Sequence, residues 1–174
     1  MLDLKTQLSK LFNSDLYIPD DMTIVHYSYQ DKHMMRVDHY ESIGRTFLTL
    51  VSTHLSISVN LKEEKNWDSN GLYIKRHIIN KYTNKLLLSE VYNHILFGSG
   101  VTEAEKKDEK ILALMFIILL GQLIAEGNFE KLYIALSDLK ENIKIDADNI
   151  DFKTRLQEFV QKSGYEVPRY ESIG

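Results

Sequence analysis

Ile111-Leu-Ala-Leu-Met-Phe-Ile-Ile-Leu-Leu-Gly-Gln-Leu-Ile-Ala125 is apolar on nearly every face of a helical wheel. A helix patterned in this way is buried on all sides, at the centre of a bundle. Its uninterrupted apolar run, Ile111–Leu120, is ten residues long. A bilayer needs about 20, so the segment belongs in a protein core and not in a membrane.

The flanking sequence supplies helices to surround it. Leu2, Leu4, Leu8, Leu11 and Phe12 recur at helical spacing ahead of Pro19. Ile43, Phe47, Leu48, Leu50, Val51 and Leu55 trace an apolar stripe along a helix over 40–55. The polar run Lys62–Gly71 predicts a loop, followed by two helices, Leu72–Tyr82 and Lys85–Phe97, the second stopped at Gly98-Ser99-Gly100. Thr102 and the charged run Glu103–Lys110 predict an exposed helix start or a loop. Gly127 ends the central helix, and Asn128 is placed to cap a last bundle helix, Phe129–Glu141. Period-2 alternation is missing at useful length, so the expected fold is all-α, a helical bundle with a short C-terminal helix and tail.

Composition agrees with a globular chain of 174 residues: 44% hydrophobic, 26% charged, net charge −4. With 0 Cys, a disulfide scaffold and Cys-based zinc or iron–sulfur sites are excluded. The acidic balance argues against a broadly basic nucleic-acid binder, leaving room for a local basic face. Asn142–Asn149 is polar and acidic, which sets the expected division at 1–145 for the bundle and 146–174 for a linker with a short helix begun by Asp151. The opening MLDLKTQLSK lacks the apolar stretch of a signal peptide. A cytoplasmic location is expected, with an organellar one left open and no membrane partner.

Asp38 and Glu41, three apart, share a helix face and could begin a divalent-metal site, since Mg²⁺ takes hard oxygen ligands, although residue types alone favour the plainer reading that follows. The ordinary alternative is a solvated helix start, where acids are favoured. The His residues show neither H-x-x-x-H nor H-E-x-x-H spacing, and there is no G-x-S-x-G elbow. Lys75-Arg76-His77 with Lys81 and Lys85 forms a small basic patch, which a solvated face explains better than an RNA track does.

Asp38-His-Tyr-Glu41-Ser-Ile-Gly44-Arg45-Thr-Phe-Leu48 resembles the ribonuclease III signature E-R-L-E-F-L-G-D-A-V-L. Ile24-Val-His26-Tyr-Ser28-Tyr29 is similar to that family's L-T-H-x-S-Y segment, and Leu96-Phe-Gly98-Ser-Gly100 to its L-x-L-G-x-G turn. Lys110-Ile-Leu-Ala-Leu114-Met-Phe-Ile117-Ile-Leu-Leu-Gly121 resembles K-I-L-A-D-A-F-E-A-L-I-G. Asp151-Phe-Lys153-Thr-Arg-Leu-Gln157-Glu158-Phe-Val-Gln161 is similar to the opening of the family's double-stranded-RNA-binding domain. The motifs stand in the family's order across nearly the whole chain.

The resemblance implies a ribonuclease III-like helical bundle and, for active members, Mg²⁺ held by carboxylates at positions matching Glu41, Arg45, Leu114 and Ile117. Of these only Glu41 remains acidic, and Asp38 replaces a supporting Glu. Arg45 has no lone pair for a cation, and Leu114 and Ile117 bring no oxygen. The sequence therefore predicts a degenerate site without metal and a catalytically inactive chain with a structural, regulatory or RNA-binding role. The alternative is an active double-stranded-RNA endonuclease with rearranged or partner-supplied ligands and Mg²⁺; a third reading is an interaction module without RNA. Implied partners are double-stranded or structured RNA, contacted through Lys153, Gln157 and Glu158, and a homodimeric or heterodimeric ribonuclease III-like chain. Ser42 stands where the family has an aromatic pairing residue, which departs from the standard dimer.

Overall fold

The structure, a computed structural model, describes residues 3–26, 28, 34–60 and 67–139. They fall within one compact unit spanning Met1–Ile143. The expected helix over 151–162, the tail, and with them Lys153, Gln157 and Glu158, lie outside the described residues.

Among the described residues the α-helices are α1 (Leu4–Phe12), α2 (Met34–Asn60), α3 (Trp67–Leu88), α4 (Glu109–Ala125) and α5 (Phe129–Ser137). The fold of the described residues is all-α apart from two short strands, β1 (Ile24–Val25) and β2 (Ile95–Leu96). Asp3 starts α1 by accepting a hydrogen bond from the Thr6 amide at 2.7 Å, and Asn13 ends it in the left-handed region with φ 51°. Asp108 starts α4, its Oδ1 accepting from the amides of Lys110 at 2.8 Å and Ile111 at 3.4 Å.

As its sequence predicts, α4 is the buried axis, with Leu112, Met115 to Leu120 and Leu123 all inside. Around it pack Leu8 and Phe12 of α1, Leu48, Val51 and Leu55 of α2, and Ile74, Ile78, Tyr82 and Leu86 of α3. Each such side chain contributes about 1.5–3 kcal/mol by leaving water. Tyr82 stacks on both Phe12 and Phe116, each ring centroid 5.2 Å away, and these two rings lie 6.4 Å from each other. Burial, with the Asp138 charge adding to it, pushes the Tyr82 phenol up to about 12.

α2 and α4 run antiparallel and touch through backbone. A Cβ added to Gly44 would stand 2.0 Å from the Ile117 carbonyl oxygen, and one added to Gly121 would stand 1.8 Å from that of Tyr40. These glycines are four residues from Tyr40 and from Ile117 respectively, so one helical turn of each element lies against one turn of the other.

Several sequence expectations are corrected. The two helices predicted over 72–97 are one helix, α3, which also takes in residues 67–71 of the predicted loop. Ile74, Ile78, Tyr82 and Leu86, each four from the next, keep one buried stripe running through the polar Thr83-Asn84 pair. The stretch then leaves the helix for a 3₁₀ turn, Glu90–His94, and β2. β1 and β2 pair in parallel, Ile24 with Ile95 and Val25 with Leu96, too short for any alternation to show. Asn128 makes no side-chain cap to α5. Its buried amide instead clamps the Tyr17 backbone, accepting from the amide and donating to the carbonyl at 2.7 Å each.

The helix crossing makes a direct prediction. Gly44→Ala and Gly121→Ala each force two backbones apart and are expected to cost about 3 kcal/mol or more by urea unfolding. Gly100→Ala, with open space around the new methyl group, is expected to stay within about 0.5 kcal/mol of the parent.

Candidate functional site

Glu41 and Arg45 flank Gly44 on α2, while Leu114 lies one turn from Ile117 on α4. Because Gly44 rests on Ile117, the crossing gathers all four sequence-predicted positions. Arg45 folds back along its own helix, and both its Nε and Nη2 lie 2.7 Å from Glu41 Oε1. The Glu41 side chain is 29% exposed and that of Arg45 54%, so the pair sits at the surface edge of the crossing. At that exposure the i,i+4 pair stabilises the helix by only about 0.3–0.5 kcal/mol. Ile117 is buried, Leu114 half-buried, and Asp38 faces solvent.

The neighbouring acids are engaged elsewhere. Glu103 pairs with Lys106 at 2.5 Å. Glu105 accepts from the Thr102 amide and hydroxyl at 2.8 and 2.7 Å, and these bonds hold its carboxyl below the usual range. Asp108 is spent on the α4 N-terminus. Glu126 stands at the far end of α4, about 18 Å from residue 114 at 1.5 Å per residue.

A second cluster joins the two other motifs. The His26 amide donates to the Leu96 carbonyl at 2.9 Å, extending the β1–β2 pairing. His26 Nδ1 lies 2.6 Å from Ser28 Oγ and accepts from the Ser28 amide at 3.2 Å, while Ser28 Oγ accepts from the Gly98 amide at 3.0 Å. An amide aimed at Nδ1 requires the neutral ring with its proton on Nε2. Gly98 is required here: a Cβ would meet the Ser28 carbonyl oxygen at 2.1 Å. Phe97 packs on the imidazole at 5.2 Å. The arrangement ties His26 and Ser28, after β1, to Gly98, after β2.

Sequence reasoning missed a link between helices beside the crossing. Lys75 of α3 donates to Thr49 Oγ1 at 2.8 Å, and that hydroxyl donates in turn to the Arg45 carbonyl at 2.9 Å. Burial, and next the Arg45 charge, lower the Lys75 pKa. The signal was the spacing of Arg45 and Thr49, one turn apart, but no local pattern pairs them with residue 75.

No family model matches the sequence. Two curated proteins do. Ribonuclease 3 of Bdellovibrio bacteriovorus is 29% identical over 166 residues, covering 88% of this chain and 69% of that protein. Ribonuclease 3 of Fusobacterium nucleatum is 36% identical over 83 residues, covering 45% of this chain and 36% of the relative. The chain is related to the ribonuclease III family.

Burial lowers the His26 pKa below its usual value near 6.5. Between the folded value and 6.5 the unfolded chain binds more protons, so stability rises with pH across that window. The contribution is complete above about pH 6.5 and is lost as pH falls toward the folded value. Thermal melts between about pH 7.5 and 5 are expected to show this decline, and His26→Gln is expected to flatten it.

Proposed function

We propose that this chain is a catalytically silent ribonuclease III-like protein that acts by binding, as a structural or regulatory partner in RNA processing or in a ribonucleoprotein assembly. Its support is the donor chemistry at the α2/α4 crossing: one carboxylate, already engaged by a guanidinium, beside two aliphatic side chains. A two-metal phosphodiester cleaver needs several carboxylates converging on its cations and a bound hydroxide between them. The set Glu41, Arg45, Leu114 and Ile117 does not fit such a pair of ions. In the family's motifs these positions read Glu, Asp, Asp and Glu.

The test is cleavage of duplex RNA with Mg²⁺ or Mn²⁺. No divalent-dependent product is expected. Robust cleavage abolished by Glu41→Ala would overturn the reading and return the chain to the active endonucleases.

The reading includes a protein partner, a second ribonuclease III-like chain. Ile43, Leu50 and Ile57 are seven apart on α2 and share a face, and each is at least 37% exposed. Phe129 continues the apolar surface from α5, its ring edge-on to Phe47 at 5.3 Å. Ser42, exposed nearby, offers no aromatic knob. Among the described residues no helix is long and apolar enough to cross a membrane. Sedimentation equilibrium is expected to show association that Leu50→Asp weakens at least tenfold, leaving the far-ultraviolet circular dichroism unchanged.

A further inference from the structure

Five exposed residues of α2 are set symmetrically about Leu50. Ile43 and Ile57 stand seven residues to either side, and Thr46 and His54 four to either side. Offsets of four and seven return to one helix face, so the five form a single stripe. None of them carries a fixed charge. A two-fold contact uses one patch twice, bringing residue i against residue j and j against i. With the axis at Leu50 and the helices antiparallel, Leu50 meets its own copy and each Ile43 meets Ile57 of the second copy. Apolar groups then cover apolar groups, and no like charges are opposed.

The same axis sets His54 against Thr46 of the second copy, and their polarities match. The Tyr133 hydroxyl of α5 lies 2.5 Å from His54 Nδ1, with the two rings stacked at 5.6 Å. With the phenol donating there, a neutral imidazole keeps its hydrogen on Nε2 and is a donor. The Thr46 hydroxyl spends its hydrogen on the Ser42 carbonyl at 2.9 Å and keeps its lone pairs as acceptors.

Acid changes the balance, since histidine is the side chain whose charge turns over between pH 5 and 8. In the free chain His54 is exposed, and a protonated Nδ1 donates to the Tyr133 oxygen, so the charge is tolerated. In the paired state two imidazolium groups enter a seam of Ile and Leu side chains, where an unpaired charge is costly. His54 faces Tyr133 on α5 and has Leu50, Ile57 and Ser58 beside it on α2. Glu130, three residues before Tyr133, makes no ion pair with it, and no other carboxylate does among the described residues. We propose that two copies of this chain associate through α2, antiparallel about Leu50, and that His54 releases them in acid. This rests on the reading of that face as a docking surface and adds its partner, register and control.

The sequence has 0 Cys, so introduced cysteines report the register. Under mild oxidation at pH 7.5, Leu50→Cys is expected to give a disulfide-linked dimer. Ile43→Cys alone is expected to stay unlinked, its two copies about 21 Å apart along the helices, and to link once combined with Ile57→Cys. Sedimentation equilibrium of the full chain is expected to show association at pH 7.5 that weakens at least tenfold at pH 5.5, with unchanged far-ultraviolet circular dichroism. His54→Asn, which offers Tyr133 an acceptor and cannot charge, is expected to hold the association at both values, whereas His39→Asn, one turn before Ile43, keeps the acid release. Equal association of the parent at both values overturns the release and leaves the docking face standing. A monomer at both values overturns the two together. Linkage of Ile43→Cys alone, no linkage of Leu50→Cys, or acid release that survives His54→Asn would each overturn the proposal.

Discussion

Two hydrogens, the side chains of Gly44 and Gly121, let the α2 and α4 backbones lie where any larger residue would collide with a carbonyl oxygen. The contact is antiparallel and spans one turn, so it sets both the separation and the register of the two helices. Register then decides which side chains meet. Residues 41 and 45 on one helix and 114 and 117 on the other share this crossing because the glycines sit between them. The aromatic stack of Phe12, Tyr82 and Phe116 closes the core behind α4, and the clamp of Asn128 on Tyr17 ties the chain after α1 to the turn after α4.

The same scaffold that gathers carboxylates in the family's motifs here gathers a carboxylate, a guanidinium and two hydrocarbons. Magnitudes separate what this does for folding from what it does for chemistry. As an exposed pair, Glu41–Arg45 adds about 0.3–0.5 kcal/mol to the helix. Toward an incoming cation Arg45 offsets the attraction of Glu41: unit charges about 4 Å apart interact by about 1 kcal/mol in water and about 4 kcal/mol near a protein surface. A divalent ion doubles that figure. Glu41 must also give up its bonds to Arg45 before its Oε1 can serve a metal.

Much of the fold was legible because it is written in period 3.6. The all-round apolarity of 111–125 marks the central helix, and the stripe from Ile43 to Leu55 marks α2. The division of α3 was misread because Thr83-Asn84 looks like a break, whereas burial of Ile78, Tyr82 and Leu86 carries the helix through it. β1 and β2 were invisible, since two residues cannot display alternation and their pairing joins segments about seventy residues apart. Asn128 has the local look of a cap; its partner, Tyr17, is remote in sequence. At the site, the Glu41–Arg45 pair could be read from an i,i+4 spacing. The approach of Ile117 to Gly44 and the bond from Lys75 to Thr49 are tertiary and had no local signal. The meeting of His26, Ser28 and Gly98 gives two of the resembling motifs one physical purpose, a tie between the ends of β1 and β2.

Crystals grown with and without a large excess of Mn²⁺, compared by anomalous scattering at the manganese edge, address the charge of the crossing most directly. The account predicts no ordered manganese within coordination distance of residues 41, 45, 114 and 117, with Arg45 still on Glu41. A pair of well-ordered ions there, with Arg45 swung away, would contradict it.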